Sequence, residues 1–185
     1  MKITKLVVMS LTLIPGLAFA HPGHLTLEKL TSFSEGLLHP LTSLGHLLAF
    51  LMIGIWAIQI KGKSVWSLPI TVVCISLVGS LFGAFDIALP YLDQGIILSI
   101  LLLSLFLNSV LGFAFSTSAL IICSVALFQG NSAGMELALS ADRLLFGFGW
   151  MLSISFLLGI GMAIGGLSKR IAINYSLPAP LMSSR

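Results

Sequence analysis

Long apolar runs, parted by short polar or glycine-bearing breaks, organise this chain from end to end. A helix crossing the hydrocarbon core must pair every backbone amide internally, and it takes about 20 apolar residues to do so. The runs at residues 37–60, 65–85 and 144–167 each meet that length. Between the last two, GIILSILLLSLFLNSVLGFAFSTSALIICSVALF is too long for one straight span. Its polar or flexible centre at Asn108, Ser109 and Gly112 predicts a hairpin of two short helices. The pattern predicts an all-α integral membrane protein, a bundle of about five transmembrane helices within residues 37–170.

The two ends read differently. MKITK is a basic start, LVVMSLTLI an apolar centre, and AFA ending at Ala20 a small-x-small cleavage pattern, so residues 1–20 are expected to be a cleaved signal peptide. The other reading, a retained first membrane helix, is weakened by Pro15 and Gly16, which interrupt the run. Residues 21–36 then form an exported segment beginning HPGH, and residues 171–185 a cytoplasmic tail.

Composition agrees with the pattern. The 185 residues are 57% hydrophobic and 8% charged. With a mean hydropathy of +1.11, that excludes a soluble domain of this length. Nine Lys and Arg against six Asp and Glu give a weak positive balance, scattered singly or in pairs, which excludes a nucleic-acid surface. The charges instead orient the chain. Lys61, Lys63, Lys169, Arg170 and Arg185 share the cytoplasmic side if the mature amino terminus lies outside a bacterial inner membrane. Glu28, Glu35, Asp86, Asp93, Glu136 and Asp142 then fall to the opposite face; the turn near Asn108 has no Lys or Arg and constrains nothing. Cys74 and Cys123 lie in apolar runs with no Cys or His at ligand spacing, and are expected to be small core residues. Gly79 with Gly83, and Gly161 with Gly165, permit close helix contact, either within one chain or across a homo-oligomer interface.

The candidate chemistry lies in four histidines, all in the first quarter of the chain. Cleavage after Ala20 would bring an α-amine, His21 and His24 together, nitrogen donors that suit nickel, cobalt, copper and zinc. Pro22 has no amide hydrogen, which blocks a square-planar site built on successive deprotonated amides; the alternative is an exposed terminus without a role. A helix starting at Pro40 would put His39 at its cap and His46 two turns further on. Both would share one face, about 10.5 Å apart along the axis at ~1.5 Å per residue. At that spacing the pair does not chelate one ion unaided. The rings would mark successive stations on a path, or His46 would join ligands from another helix; polar groups at membrane depth face the bundle interior. The alternative is an imidazole hydrogen-bonded to a neighbouring carbonyl, holding helices together.

Asp86, Asp93 and Glu136 could form an anionic entrance. In LFQGNSAGME, Gln129, Asn131 and Ser132 interrupt the apolar pattern, which predicts a turn or a re-entrant loop after the fourth span. No Gly-rich phosphate loop is present. Ser43, three residues from His46, has no orienting group or oxyanion donor, so no enzyme is expected.

Taken in order, HPGH, GLLHPLTSLGHLLAF, LDQGIILSI and LFQGNSAGME resemble the HupE/UreJ family of hydrogenase- and urease-associated membrane proteins, over nearly the whole mature chain. The family's first-helix pattern is kept at His39, Pro40, His46, Leu48 and Ala49, while Ser43, Gly45 and Phe50 stand at its Gly, Asp and Met. Its later motif, Phe-His-Gly-x-Ala-His-Gly-x-Glu, reads here from Phe128 to Glu136, with Gln129 and Ala133 at the two histidines. Leu158 stands where many members carry a further histidine.

The resemblance implies a permease for Ni2+ or Co2+, carried as cargo with no permanently bound cofactor. His39, His46 and Glu136 are its candidate metal ligands, with His21 and His24 at the terminus. The implied partners are the divalent metal ion, the lipid bilayer, and a second copy or a metalloenzyme maturation system. The alternative is a non-transporting metal-binding or assembly subunit on the same scaffold.

Overall fold

The computed structural model describes residues 32–59, 65–107, 115–139 and 142–176. The expected signal peptide, His21 and His24, the turn bearing Lys61 and Lys63, the hairpin centre at Asn108, Ser109 and Gly112, and the end of the tail lie outside the described residues.

Six helices make up the described chain: α1 Ser32–Thr42, α2 Leu44–Ala57, α3 Ser67–Ala84, α4 Leu92–Leu107, α5 Phe115–Leu139 and α6 Arg143–Ser176. Three segments, Ser67–Ala84, Ser116–Leu137 and Arg143–Ile171, are long and apolar enough to cross a membrane, and α1 with α2 makes a fourth if the bent pair is one span. The chain is a helical, multi-pass membrane protein. Among the described residues α4 contributes a shorter apolar stretch, Leu92–Leu105.

The first run departs most from expectation. The chain is already helical at Ser32, inside the segment expected to precede the bundle, and the helix breaks at Ser43, where α1 and α2 are bent by 73°. Pro40 cannot donate to the carbonyl one turn back. Thr42 Oγ donates to the carbonyls of Leu38 and His39 at 3.0 and 3.2 Å, competing with the backbone for the last acceptors of α1. Ser43 then turns extended, at φ −86° and ψ 108°. Its N–H still reaches the His39 carbonyl at 3.0 Å, and its own carbonyl accepts from Leu47 at 2.9 Å to start α2.

Glycines set the packing. A Cβ at Gly79 or Gly83 would strike the α5 backbone at Leu127 and Asn131, and one at Gly130 or Gly134 would strike the carbonyls of Ser76 and Ser80. Because those contacts advance together along both helices, α3 and α5 run parallel. Gly54 meets Leu158 and Gly161, while Gly161 and Gly165 meet Leu51 and Ile55, so α2 and α6 also run parallel. The two glycine pairs seen in the sequence are used inside this chain. α6 packs on α1 as well, through Gly149 against Phe33 and Gly36 against Phe146. One long helix thus braces both arms of the bend.

Two further expectations are corrected. LFQGNSAGME is neither turn nor re-entrant loop but lies in the C-terminal half of α5. Gln129 and Asn131 find partners on neighbouring elements, and Gly130 and Gly134 allow the α3 contact, so nothing requires the helix to stop. Cys74 is exposed on α3 and Cys123 half-buried, so neither is a core residue. On α6, Leu144, Phe148, Leu152 and Phe156 are exposed at four-residue spacing, a face suited to acyl chains.

Candidate metal site

The break at Ser43 folds the arm carrying His39 over the start of α2. The rings of His39 and His46 meet edge-on, centroids 5.0 Å apart and planes at 79°. The axial separation read from an unbroken helix does not apply, because a 73° bend lies between the two residues. The two rings are in contact.

The surroundings are aromatic. Phe146 of α6 lies 6.0 Å from His39, Phe50 lies 6.5 Å from His46, and Trp150 packs on Phe50 at 6.2 Å. His46, Phe50 and Trp150 are almost wholly buried. Nε2 of His39 and both ring nitrogens of His46 are buried without a hydrogen-bond partner. An unmet buried polar group costs about 1–3 kcal/mol, so three such nitrogens on two touching rings call for a functional explanation.

The polar neighbours come from α5 and α4. Gln129, fully buried, interacts through its side chain with the His46 ring and donates Nε2–H to Ser99 Oγ at 3.1 Å. Two turns further along α5, exposed Glu136 is the carboxylate whose field reaches His39. Among the described residues no three His, Cys, Asp or Glu side chains are grouped closely enough to hold a metal ion. Of the sites expected from sequence, His39 and His46 come together and Glu136 acts on His39 electrostatically, whereas His21 and His24 lie outside the described residues. Asp86 and Asp93 are exposed, one just past α3 and the other in the first turn of α4.

Positions where the family motif differs are also placed. Gly45 faces Ile96 of α4, Ala133 is buried one turn past Gln129, and Leu158 packs against Gly54 two turns below Trp150. Gln129, Ser99 and the Phe146–Trp150 wall were not singled out as site residues from sequence. Reading residues 128–136 as helix would have placed Gln129 and Glu136 on one side, two turns apart.

Helices that cross a membrane, enclosing an imidazole pair and an amide with unmet polar atoms, define a membrane protein with nitrogen and oxygen donors in its interior. The family model described as HupE / UreJ protein matches residues 9–179, and the chain belongs to that family. It is similar to Protein HupE of Rhizobium leguminosarum bv. viciae, 31% identical over 152 residues that cover 81% of this chain and 78% of that protein. No solved structure matches the chain.

Proposed function

We propose that this protein is permease-like and passes a divalent transition-metal ion, Ni2+ or Co2+, inward across the inner membrane, with the mature amino terminus outside and the carboxyl terminus cytoplasmic. The observation that carries the reading is the convergence of three unpartnered imidazole nitrogens at the Ser43 bend. Neutral imidazole is a good ligand for these ions, and family membership points the same way.

In this reading His21 and His24 capture the ion outside, and the exposed carboxylates Asp86, Asp93 and Glu136 raise its local concentration. The ion then passes His39 and His46. Entry needs no nucleotide hydrolysis, because each elementary charge moving inward gains ~2.3 kcal/mol per 100 mV of membrane potential. No enzymatic step is part of the proposal.

The test is nickel uptake into liposomes holding the purified protein, compared with His46→Ala under an inside-negative potential. The intact protein should load the vesicles and the variant should not; equal uptake by both removes the imidazole pair from the mechanism. A second reading, a non-transporting metal-binding or assembly subunit, draws on the lack of a three-residue His, Cys, Asp or Glu group among the described residues. Metal binding without uptake would select it.

A further inference from the structure

Ser99 decides which end of the Gln129 amide faces the imidazoles. Its hydroxyl donates its single hydrogen to the Ile96 carbonyl at 2.6 Å, so toward any other group its oxygen can only accept. Gln129 Nε2 fills that acceptor position at 3.1 Å. The reverse amide orientation would set two acceptors against each other with no hydrogen between them. The NH2 end of Gln129 is therefore held at α4, and Oε1 is left on the other side. There it is buried and has no hydrogen-bond partner, in a side chain that is itself 0% exposed and interacts with His46.

We infer that Gln129 Oε1, aimed by Ser99, is the third donor to a divalent transition-metal ion held by His39 and His46, and that this amide sets how tightly the ion is gripped. The inference rests on the metal-handling reading proposed above. It gives the site two imidazole nitrogens and one amide oxygen, all neutral. A mixed nitrogen and oxygen set fits Ni2+, Co2+ or Zn2+ and offers no thiolate or thioether for Cu(I).

Neutrality has a kinetic consequence. A dication taken out of water among neutral dipoles is not charge-compensated, so it is held loosely and released readily. A carboxylate at position 129 would compensate the charge, tightening the hold and delaying departure. Ser99 makes no claim on the ion and is a positioning residue.

The experiment uses the full chain, purified in detergent, with Co2+ as probe, read by titration and by visible and X-ray absorption of the bound ion. Gln129→Ala and Ser99→Ala should each weaken Co2+ binding about 10- to 100-fold, the range seen when outer supports of a metal site are lost. Gln129→His should keep binding and raise the imidazole count around Co2+ from two to three. Gln129→Glu, in which the Ser99 hydroxyl must turn away from the Ile96 carbonyl to donate to the carboxylate, should bind more tightly and slow nickel uptake into liposomes. His46→Ala serves as the reference.

If His46→Ala abolishes binding while Gln129→Ala keeps wild-type affinity and spectrum, the amide is not a ligand and this inference is overturned alone. If His46→Ala itself binds normally, the site reading falls with it. Should Gln129→Ala fail to fold, the near-isosteric Gln129→Glu decides: an unchanged Co2+ spectrum and affinity would overturn the inference.

Discussion

His39 and His46 stand seven residues apart in sequence, yet their rings touch edge-on at 5.0 Å because the chain breaks at Ser43 between them. The break is built locally, from a proline that cannot donate, a threonine that takes backbone acceptors and a serine in extended geometry. The candidate site is therefore a property of a bend rather than of a helix face.

Straightening that bend should dismantle the site. Pro40→Ala combined with Thr42→Ala restores the missing donor and frees the acceptors that Thr42 Oγ occupies, favouring one continuous helix. The rings would then separate to about 10.5 Å along the axis. Co2+ affinity should fall by at least about tenfold, worth ~1.4 kcal/mol, with helix content by circular dichroism unchanged or raised. Unaltered affinity in a straightened helix would show that the pair is not the ligand set.

How much of this was legible in the sequence depends on what decided each feature. Hydrophobic length located α3 and α6, because a run of apolar residues has few other ways to satisfy its backbone in lipid. The bend was not legible, since its outcome depends on Thr42 and Ser43 competing with the helix beyond Pro40, and the same residues also suit a helix start. The α5 stretch misled for a different reason. A glutamine and an asparagine inside an apolar run look like an interruption until Ser99, Ile87 and Leu89 supply their partners from elsewhere. Cys74 misled because burial against lipid and burial against protein leave the same mark on composition.

Asn131 ties down the link between α3 and α4. Its Oδ1 accepts from Leu89 N–H at 2.9 Å and its Nδ2 donates to Ile87 O at 2.8 Å, between Asp86 and Tyr91, which both hold positive φ, 59° and 55°. Asn131→Ala leaves a donor and an acceptor unmet and should cost about 2–3 kcal/mol. Asn131→Asp should be worse, because it sets a carboxylate against the carbonyls of Ile87 and Gly79. Thermal unfolding in detergent measures both, and equal stability of the two variants would contradict the donor's role.

Trp150 should depend on its ring and not on its N–H. Nε1 is buried without a partner, while the ring packs edge-on against Phe50 behind His46. Trp150→Phe removes an unmet donor and keeps most of the packing, so stability should change by less than about 1.5 kcal/mol. Trp150→Ala should cost about 3–5 kcal/mol and loosen the wall behind the imidazoles. Comparable losses in both variants would mean that the N–H is bonded after all.

Gly45→Asp tests whether the pocket can take a charged neighbour beside His46. A Cβ there would meet the Cγ2 methyl of Ile96 at 3.2 Å, a branch methyl on a stiff χ1 that must give by a few tenths of an ångström. A carboxylate next to His46 would supply the anionic compensation that the neutral donors lack, and it could fix the ring's tautomer. The variant should therefore fold, bind Co2+ about tenfold or more tightly, and release it more slowly in a stopped-flow chelator chase. The same carboxylate would sit at the helix start, where negative charge is favourable by a few tenths of a kcal/mol. A variant that folds as well as the parent but binds no tighter would place the metal away from His46.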